Sequence, residues 1–99
     1  MIFHLGQIVE HVRFGYRGVV YHCDEEFSLT EEWYDEMAKS KPPKNKPWYG
    51  VLVHGSNSAT YVAQRHLTLS RNKSRIEHPD VVYYFDEFDG FEYRPRQLN

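Results

Sequence analysis

Few side chains in this sequence could act as nucleophiles, and none has a base placed to activate it. Cys23 follows His22 directly, but adjacent residues of an extended strand point to opposite faces, so the two would not form a nucleophile–base pair. The stretch "HGSNS", which contains His54 and Ser56, lacks the G-x-S-x-G frame of a serine hydrolase and is typical of a hairpin turn. We therefore expect a protein that is not an enzyme, with Cys23 in a structural role.

Metal ligation is not indicated either. The 6 histidines and the single cysteine show no H-x₃-H or C-x₂-C spacing, so we expect no metal and no cofactor. One cysteine excludes an intramolecular disulfide and fits a reducing compartment. No apolar run approaches the ~20 residues of a membrane span, and "MIFHLGQIVEH" does not resemble a secretion signal. We expect a cytoplasmic protein without a membrane partner.

Charge is distributed unevenly along the chain, although the net charge is only −2. The first 38 residues hold two arginines and eight acidic residues, and the last 24 hold two arginines and six acidic residues. All eight cations of residues 39–75 lie in a stretch without Asp or Glu. Segregation of this kind would create a surface potential of two signs if the fold keeps the segments apart.

The central cations are the strongest candidates for binding a polyanion, and double-stranded DNA is the partner they suggest. Seven of them could contact phosphates: Lys39, Lys41, Lys44, Lys46, Arg71, Lys73 and Arg75. The alternative is that a lysine-rich, proline-rich loop is only a solvated connector. The acidic flanks also count against strong non-specific DNA binding, because its affinity comes from released counterions.

Four aromatic residues near predicted turns could instead bind a protein partner: Tyr16, Trp48, Tyr49 and Tyr61. The competing interpretation, strongest for Tyr49, is that these rings fill the core. An exposed aromatic surface would also favour a homo-oligomer, although the sequence leaves the oligomeric state open.

Alternating apolar residues predict strands along most of the chain, which at 99 residues we expect to form a single domain over residues 1–99. "QIVEHV" (7–12) and "RGVVYHCD" (17–24) predict one hairpin, and "WYGVLVH" (48–54) and "ATYVAQ" (59–64) a second. "HLTL" (66–69) predicts a short fifth strand. In the second strand, we expect Val19, Tyr21 and Cys23 to share a core-facing side.

Two short helices are also predicted. The first runs from about Leu29 to Lys39, with Ser28 and Glu31 in capping-box spacing. The second covers two to three turns of "HPDVVYYFDEF", with Phe85 and Phe88 facing inward, and the tail "DGFEYRPRQLN" is expected to be mostly irregular. Together the elements predict a mainly β fold: a small, SH3-like, partly open antiparallel β-barrel with one or two short helices.

The motifs "LGQIVEHVRFGYRGVVYHCD", "KPWYGVLV", "TYVAQRHL" and "IEHPDVVYYFDEF", in this order, resemble the HspQ/YccV family over about residues 3–88. This family is also called the hemimethylated DNA-binding domain and is found fused in certain F-box proteins. One departure is that Gly50 stands where the family usually has His after "PWY". The closing "HPDVVYYFDEF" is closer to the F-box-fused versions, whereas the absence of an F-box segment in these residues favours the free-standing bacterial form unless the chain is a fragment, so the subfamily stays open.

The resemblance implies an SH3-like, partly open barrel that binds hemimethylated DNA. For the bacterial heat-shock members it implies a second role, modulation of the Lon protease, so an adaptor for a Lon-type AAA+ protease is the alternative function. A scaffold role within a larger assembly, as in the F-box fusions, is a third.

Overall fold

The computed structural model describes residues 2–97, which form two antiparallel sheets and two short helices. The strands are β1 (Ile8–His11), β2 (Arg17–Asp24), β3 (Trp48–Val53), β4 (Ala59–Ala63), β5 (Leu67–Leu69), β6 (Phe85–Phe88) and β7 (Tyr93–Pro95). The helices are α1 (Glu31–Met37) and α2 (Val81–Tyr84), and a 3₁₀ turn (Gln64–His66) connects β4 to β5. No helix within this described part of the chain is long and apolar enough to cross a bilayer.

The larger sheet has five strands in the order β4-β3-β2-β1-β5, and β6 and β7 form a separate hairpin. The prediction of a mainly β, antiparallel fold with short helices is confirmed. The sheet is open, because its end strands β4 and β5 are not hydrogen-bonded to each other. Each of the two therefore has one edge that no other described strand covers.

A β-bulge in β2 decides which residues face each side of the sheet. Val20 lies opposite Val51 and His22 lies opposite Gly50, so Tyr21 is an extra residue in β2. Such a bulge reverses the alternation of the side chains that follow it. Tyr21 packs with the core on one face, whereas Cys23 packs with Val20 on the other. The expectation that Val19, Tyr21 and Cys23 share a face is therefore wrong for Cys23.

Both faces of the central strands are buried. Val19, Val20 and Val51 each have no exposed surface, although consecutive strand residues point to opposite sides. One face packs with Phe3, Val9, Val20, Tyr49, Val51, Val62 and Leu67, which we call the inner core. The other packs with Ile8, Val19, Leu52, Ile76, Phe85 and Tyr93, which we call the outer core. Each buried large aliphatic side chain contributes about 1.5–3 kcal/mol, so covering both faces stabilises the sheet substantially.

Helix α1 covers the end of the sheet where β3 begins. Its N-cap is Thr30, whose Oγ1 accepts a hydrogen bond from the Trp33 backbone N–H at 3.1 Å, so the predicted start at Leu29 is two residues early. Ser28 donates its hydroxyl to the Glu26 carbonyl instead. A third cluster joins the helix to strands β3 and β4: Tyr34, Ala38, Trp48 and Ala63.

The C-terminal region differs most from the prediction. Helix α2 has only four residues, and Phe85 and Phe88 belong to strand β6, which pairs with β7 in the tail that was expected to be irregular. The pairing shifts register between Phe85 and Glu87, so two residues three apart both reach the outer core. The i, i+3 spacing that predicts a helix is produced here by an irregular strand.

Gly6 joins the N-terminal segment to strand β2 and to the β6–β7 hairpin. Its N–H donates to the Val20 carbonyl at 2.9 Å, and its carbonyl accepts from the Tyr93 N–H at 2.8 Å. The residue has a φ of +93°, and a Cβ built on it would lie 1.9 Å from the Tyr93 carbonyl oxygen. Only glycine permits this close approach of the two backbones.

Gly6→Ala should therefore destabilise the protein far more than Gly15→Ala. Both positions have positive φ, which costs alanine about 1 kcal/mol, but Gly15 has nothing within 4 Å of a built Cβ. We expect a loss of about 3 kcal/mol or more for Gly6→Ala, measured by urea denaturation. Equal losses in the two variants would contradict the backbone contact.

Candidate nucleic-acid interface

The predicted DNA-binding cations lie in two stretches with different surroundings. The first, residues 39–46, follows α1 and is called the lysine segment. Lys41 pairs with Asp35 at 3.2 Å, and Lys44 pairs with Glu31. Lys44 Nζ also lies 4.4 Å from the centre of the Tyr34 ring. These two lysines are therefore held against α1 by carboxylates and by an aromatic face.

The remaining lysines of this segment, Lys39 and Lys46, are exposed and form no ion pair within residues 2–97. Helix α1 carries four acidic residues, of which Glu31 and Asp35 contact the segment. Two of the four lysines are therefore neutralised by carboxylates of α1. The lysine segment is a weaker phosphate site than its composition suggests.

The second stretch, residues 71–75, connects β5 to the outer core and is called the basic loop. Arg71 and Arg75 are exposed and Lys73 is half-buried. Arg17 of β2 donates from Nη1 to the carbonyls of Asn72 and Ser74, at 3.1 and 2.9 Å. This contact fixes the loop and brings a fourth cation to it.

Sequence reasoning did not identify Arg17, because its position beside the loop depends on tertiary packing that no local pattern reports. The loop is also stabilised internally, since Asn72 Oδ1 accepts from the Ser74 N–H at 3.0 Å and from its hydroxyl at 2.6 Å. Such an Asx turn reduces the freedom that the loop would lose on binding a ligand.

Three acidic residues that follow the basic loop in sequence have other partners. Asp86 pairs with Arg96 at 2.7 Å, and Glu87 lies 3.8 Å from Arg94. Glu77 lies 4.0 Å from the His54 ring nitrogen. Among the residues that the structure describes, no ion pair involves a cation of the basic loop or Arg17. These cations are therefore not neutralised by a direct ion pair, although Glu10 lies opposite Arg17 in the β1–β2 pairing.

Arg75 lies over an aromatic ring, with its guanidinium carbon 4.8 Å from the centre of Phe88. Phe88 is half-buried at the border of the outer core. The pair offers a hydrogen-bond donor group beside an apolar surface. Hydrogen bonds and apolar contacts are the two ways in which side chains read base edges in the major groove.

Two of the four aromatic residues assigned to partner binding are buried. Trp48 is 2 % exposed and Tyr49 0 % exposed, because β3 is covered on both faces. The Tyr49 hydroxyl donates to Gln64 Oε1 at 2.7 Å and accepts from the Phe3 N–H at 3.3 Å. The expectation that these two side chains form part of an exposed surface is corrected by their burial.

The other two, Tyr16 and Tyr61, are half-buried and line a groove of about 430 Å³. The groove lies between strand β4, the β1–β2 turn and the C-terminal part of α1, and we call it the edge groove. Tyr16 bonds Thr60 Oγ1 through its hydroxyl at 2.8 Å. The Tyr61 hydroxyl donates to Asp24, and burial together with this bond raises the pKa of Tyr61 to about 12.

Comparison with known protein families identifies the family of this chain. Residues 1–92 match the family described as "Hemimethylated DNA-binding protein YccV like". The chain belongs to the YccV-like family. The predicted resemblance is thereby confirmed, and membership supports a DNA-binding role.

Curated relatives carry the same YccV-like region within much longer chains. The chain is 38% identical over 93 residues to "F-box only protein 21" of Homo sapiens and of Pongo abelii, and 37% identical to that of Mus musculus. These alignments cover 92% of this chain and 15% of each relative.

Gly50, the departure from the usual YccV-like pattern, is tightly enclosed. A Cβ at this position would lie 2.9 Å from Tyr21 Cε1 and 3.0 Å from His22 Cβ. The extra residue of the β2 bulge therefore occupies the space that a side chain at position 50 would need. Any function of a histidine at this position in other members does not transfer to this chain.

No three His, Cys, Asp or Glu side chains within residues 2–97 come together as a metal site. Burial raises the pKa of the Cys23 thiol, with a smaller contribution from Asp24. The neutral thiol is a poor nucleophile.

His11 organises the β1–β2 turn beside the edge groove. Its Nδ1 accepts from the backbone N–H groups of Arg13 and Phe14, both at 3.1 Å, and its ring stacks on Phe14 at 4.5 Å. Protonation would place a hydrogen on the nitrogen that accepts both bonds. Burial lowers the pKa of His11 from 6.5, and the nearby His66 and Arg13 lower it further.

Because the pKa of His11 is lower in the folded chain than in the unfolded chain, the unfolded chain binds the His11 proton more tightly. The free energy of unfolding should therefore fall as the pH drops below 6.5. His11→Asn keeps an acceptor for the turn but cannot titrate near neutral pH. We expect its stability to fall less than that of the wild type between pH 7.5 and 5.5, by thermal denaturation. Parallel pH profiles would contradict the role of Nδ1.

Proposed function

We propose that this YccV-like domain binds double-stranded DNA through the basic loop, without catalysing a reaction. The observation that carries the proposal is that Arg17 contacts the basic loop, which brings four cations without a described ion pair to one segment. Family membership supports DNA as the ligand. A cytoplasmic location stays a prediction.

The fixed shape of the basic loop favours a small set of phosphate contacts. Arg17 bonds two carbonyls of the loop, so its backbone does not need to be ordered by the DNA. Each cation that meets a phosphate releases counterions, which contributes about 0.9 to the slope of log K against log[salt]. The net charge of −2 should limit binding elsewhere on the surface.

We further propose a preference for hemimethylated sites, which rests on the description of the family. A methyl group on a base needs an apolar contact next to a hydrogen-bonding side chain. Phe88 and Arg75 are candidates for these two contacts because they already lie 4.8 Å apart.

Replacing Arg71, Lys73 and Arg75 together with alanine should weaken DNA binding and reduce the salt slope by up to about 3 units. The matched control is Lys41→Ala/Lys44→Ala, which removes two lysines that are already paired with carboxylates. Fluorescence anisotropy with a labelled duplex at 50–200 mM salt measures both slopes. A slope that changes in the control and not in the triple variant would overturn the assignment to the basic loop.

The methylation preference is tested with three duplexes of one sequence: unmodified, hemimethylated and fully methylated. The hemimethylated duplex should bind most tightly, and Phe88→Leu should reduce the difference by removing the aromatic face while keeping the site apolar. Equal affinity for all three duplexes would contradict the proposed preference for hemimethylated sites, while the proposal of general DNA binding would still stand.

The alternative function is an adaptor for a Lon-type AAA+ protease, which rests on the resemblance to the bacterial heat-shock members. Phe14, Tyr83 and Phe91 are each at least 70 % exposed, as expected of surfaces that bind other proteins. The assay is degradation of a model substrate by Lon with and without the chain. An unchanged rate would eliminate this alternative.

A deletion of the C-terminal tail for that assay must leave the β6–β7 hairpin intact. In "RPRQLN", residues Arg94 and Pro95 belong to β7, and Arg96 donates to the Val82 carbonyl and to Asp86. Leu98 and Asn99 lie outside the described residues. Removing residues 97–99 tests the tail without removing a strand.

A further inference from the structure

Strand β4 presents an unpaired backbone edge to the edge groove. The β3–β4 ladder is fixed by bonds at both ends, from the Val53 N–H to the Ser58 carbonyl and from the Gln64 N–H to the Pro47 carbonyl. Hydrogen-bonded positions alternate along an antiparallel pair. Thr60 and Val62 therefore point their backbone groups toward β3.

The backbone groups of Ala59 and Tyr61 point away from β3, and no other bond to them is found within residues 2–97. Ala63 points the same way but is covered by α1 and only 3 % exposed. Ala59 is exposed and Tyr61 half-buried. The accessible edge thus offers two N–H donors and two carbonyl acceptors.

The groove runs along this edge and not across one face of the sheet. All five residues of β4 line it, although alternate side chains of a strand point to opposite faces. Its other walls are largely apolar, with Phe14 73 % exposed and Met37 62 % exposed. An extended chain lying here would bury apolar surface and satisfy the free backbone groups together.

The charged residues among those that line the groove are cations. Arg13 and Lys39 are exposed on its walls, and no Asp or Glu is among the described residues that line it. His66 also lines it, and its pKa is lowered by burial and by the charges of Arg65 and Arg13. An acidic occupant would be complementary to these cations.

We propose that the edge groove binds an extended acidic peptide segment of another protein, which adds a strand to β4. Alternate apolar side chains would lie against the groove walls, and carboxylates would approach Arg13 and Lys39. Backbone pairing favours a polypeptide over single-stranded nucleic acid, because only a polypeptide offers donors and acceptors at the spacing of a strand. The site is separate from the basic loop and does not depend on DNA binding.

The test uses the full chain and a labelled peptide, acetyl-DVDVDVD-amide, with hydrogen exchange followed by NMR. On saturation, the amides of Ala59 and Tyr61 should exchange at least about tenfold more slowly. Thr60 and Val62, already paired with β3, serve as internal controls and should change little. Protection confined to other parts of the chain, or none, would overturn the proposal.

Three further measurements separate backbone pairing from charge attraction. Two peptides, N-methylated at the odd-numbered or at the even-numbered residues, should differ in binding. Only alternate backbone N–H groups of the added strand face β4, so one of the two peptides should lose binding and the other should keep it. Arg13→Glu/Lys39→Glu should weaken binding about tenfold or more, and Arg71→Glu/Lys73→Glu should not. Tighter binding of single-stranded oligo(dT), or equal binding of KVKVKVK, would contradict the assignment of an acidic peptide.

Discussion

Two-sided burial of the β2–β3 pair is the constraint on which the rest of the structure depends. Val19 and Val20 are adjacent and both fully buried, so each face of the sheet must be covered by other parts of a short chain. Phe3 and side chains from all five strands of the larger sheet pack together on the inner face. The β6–β7 hairpin and Ile76 cover the outer face. Without this second layer, Ile8, Val19 and Leu52 would be exposed to water, at about 1.5–3 kcal/mol each.

The chain segment that covers the outer face also determines where the cations of the basic loop lie. To reach Ile76 from β5, the chain must cross β1 and β2, and the basic loop is the segment that begins this crossing. Arg17 meets it there. Helix α1 instead brings its carboxylates to the lysine segment. The lysine segment and the basic loop have similar compositions, but they differ in available charge because different elements pack beside them. The open edge of β4 is separate from both stretches.

Strands were predictable from the sequence where apolar residues alternate, and β2 has the bounds that were expected. The bulge at Tyr21 was not predictable, because it depends on pairing with β3, and it moved Cys23 to the inner core. The i, i+3 spacing of Phe85 and Phe88 predicted a helix, but it results from an irregularity in the pairing of β6 with β7, which also depends on tertiary structure. The basic residues were identified from composition, whereas their neutralisation by α1 and the contribution of Arg17 required tertiary contacts.

The central claim is that the positive charge available to DNA lies on the basic loop and Arg17. Two-dimensional NMR of the ¹⁵N-labelled chain, titrated with a short hemimethylated duplex, tests it most directly because every amide reports separately. The account predicts the largest shift changes at residues 71–75, at Arg17 and at Phe88, and their loss when salt is raised. The largest changes at residues 39–46, persisting at high salt, would contradict it.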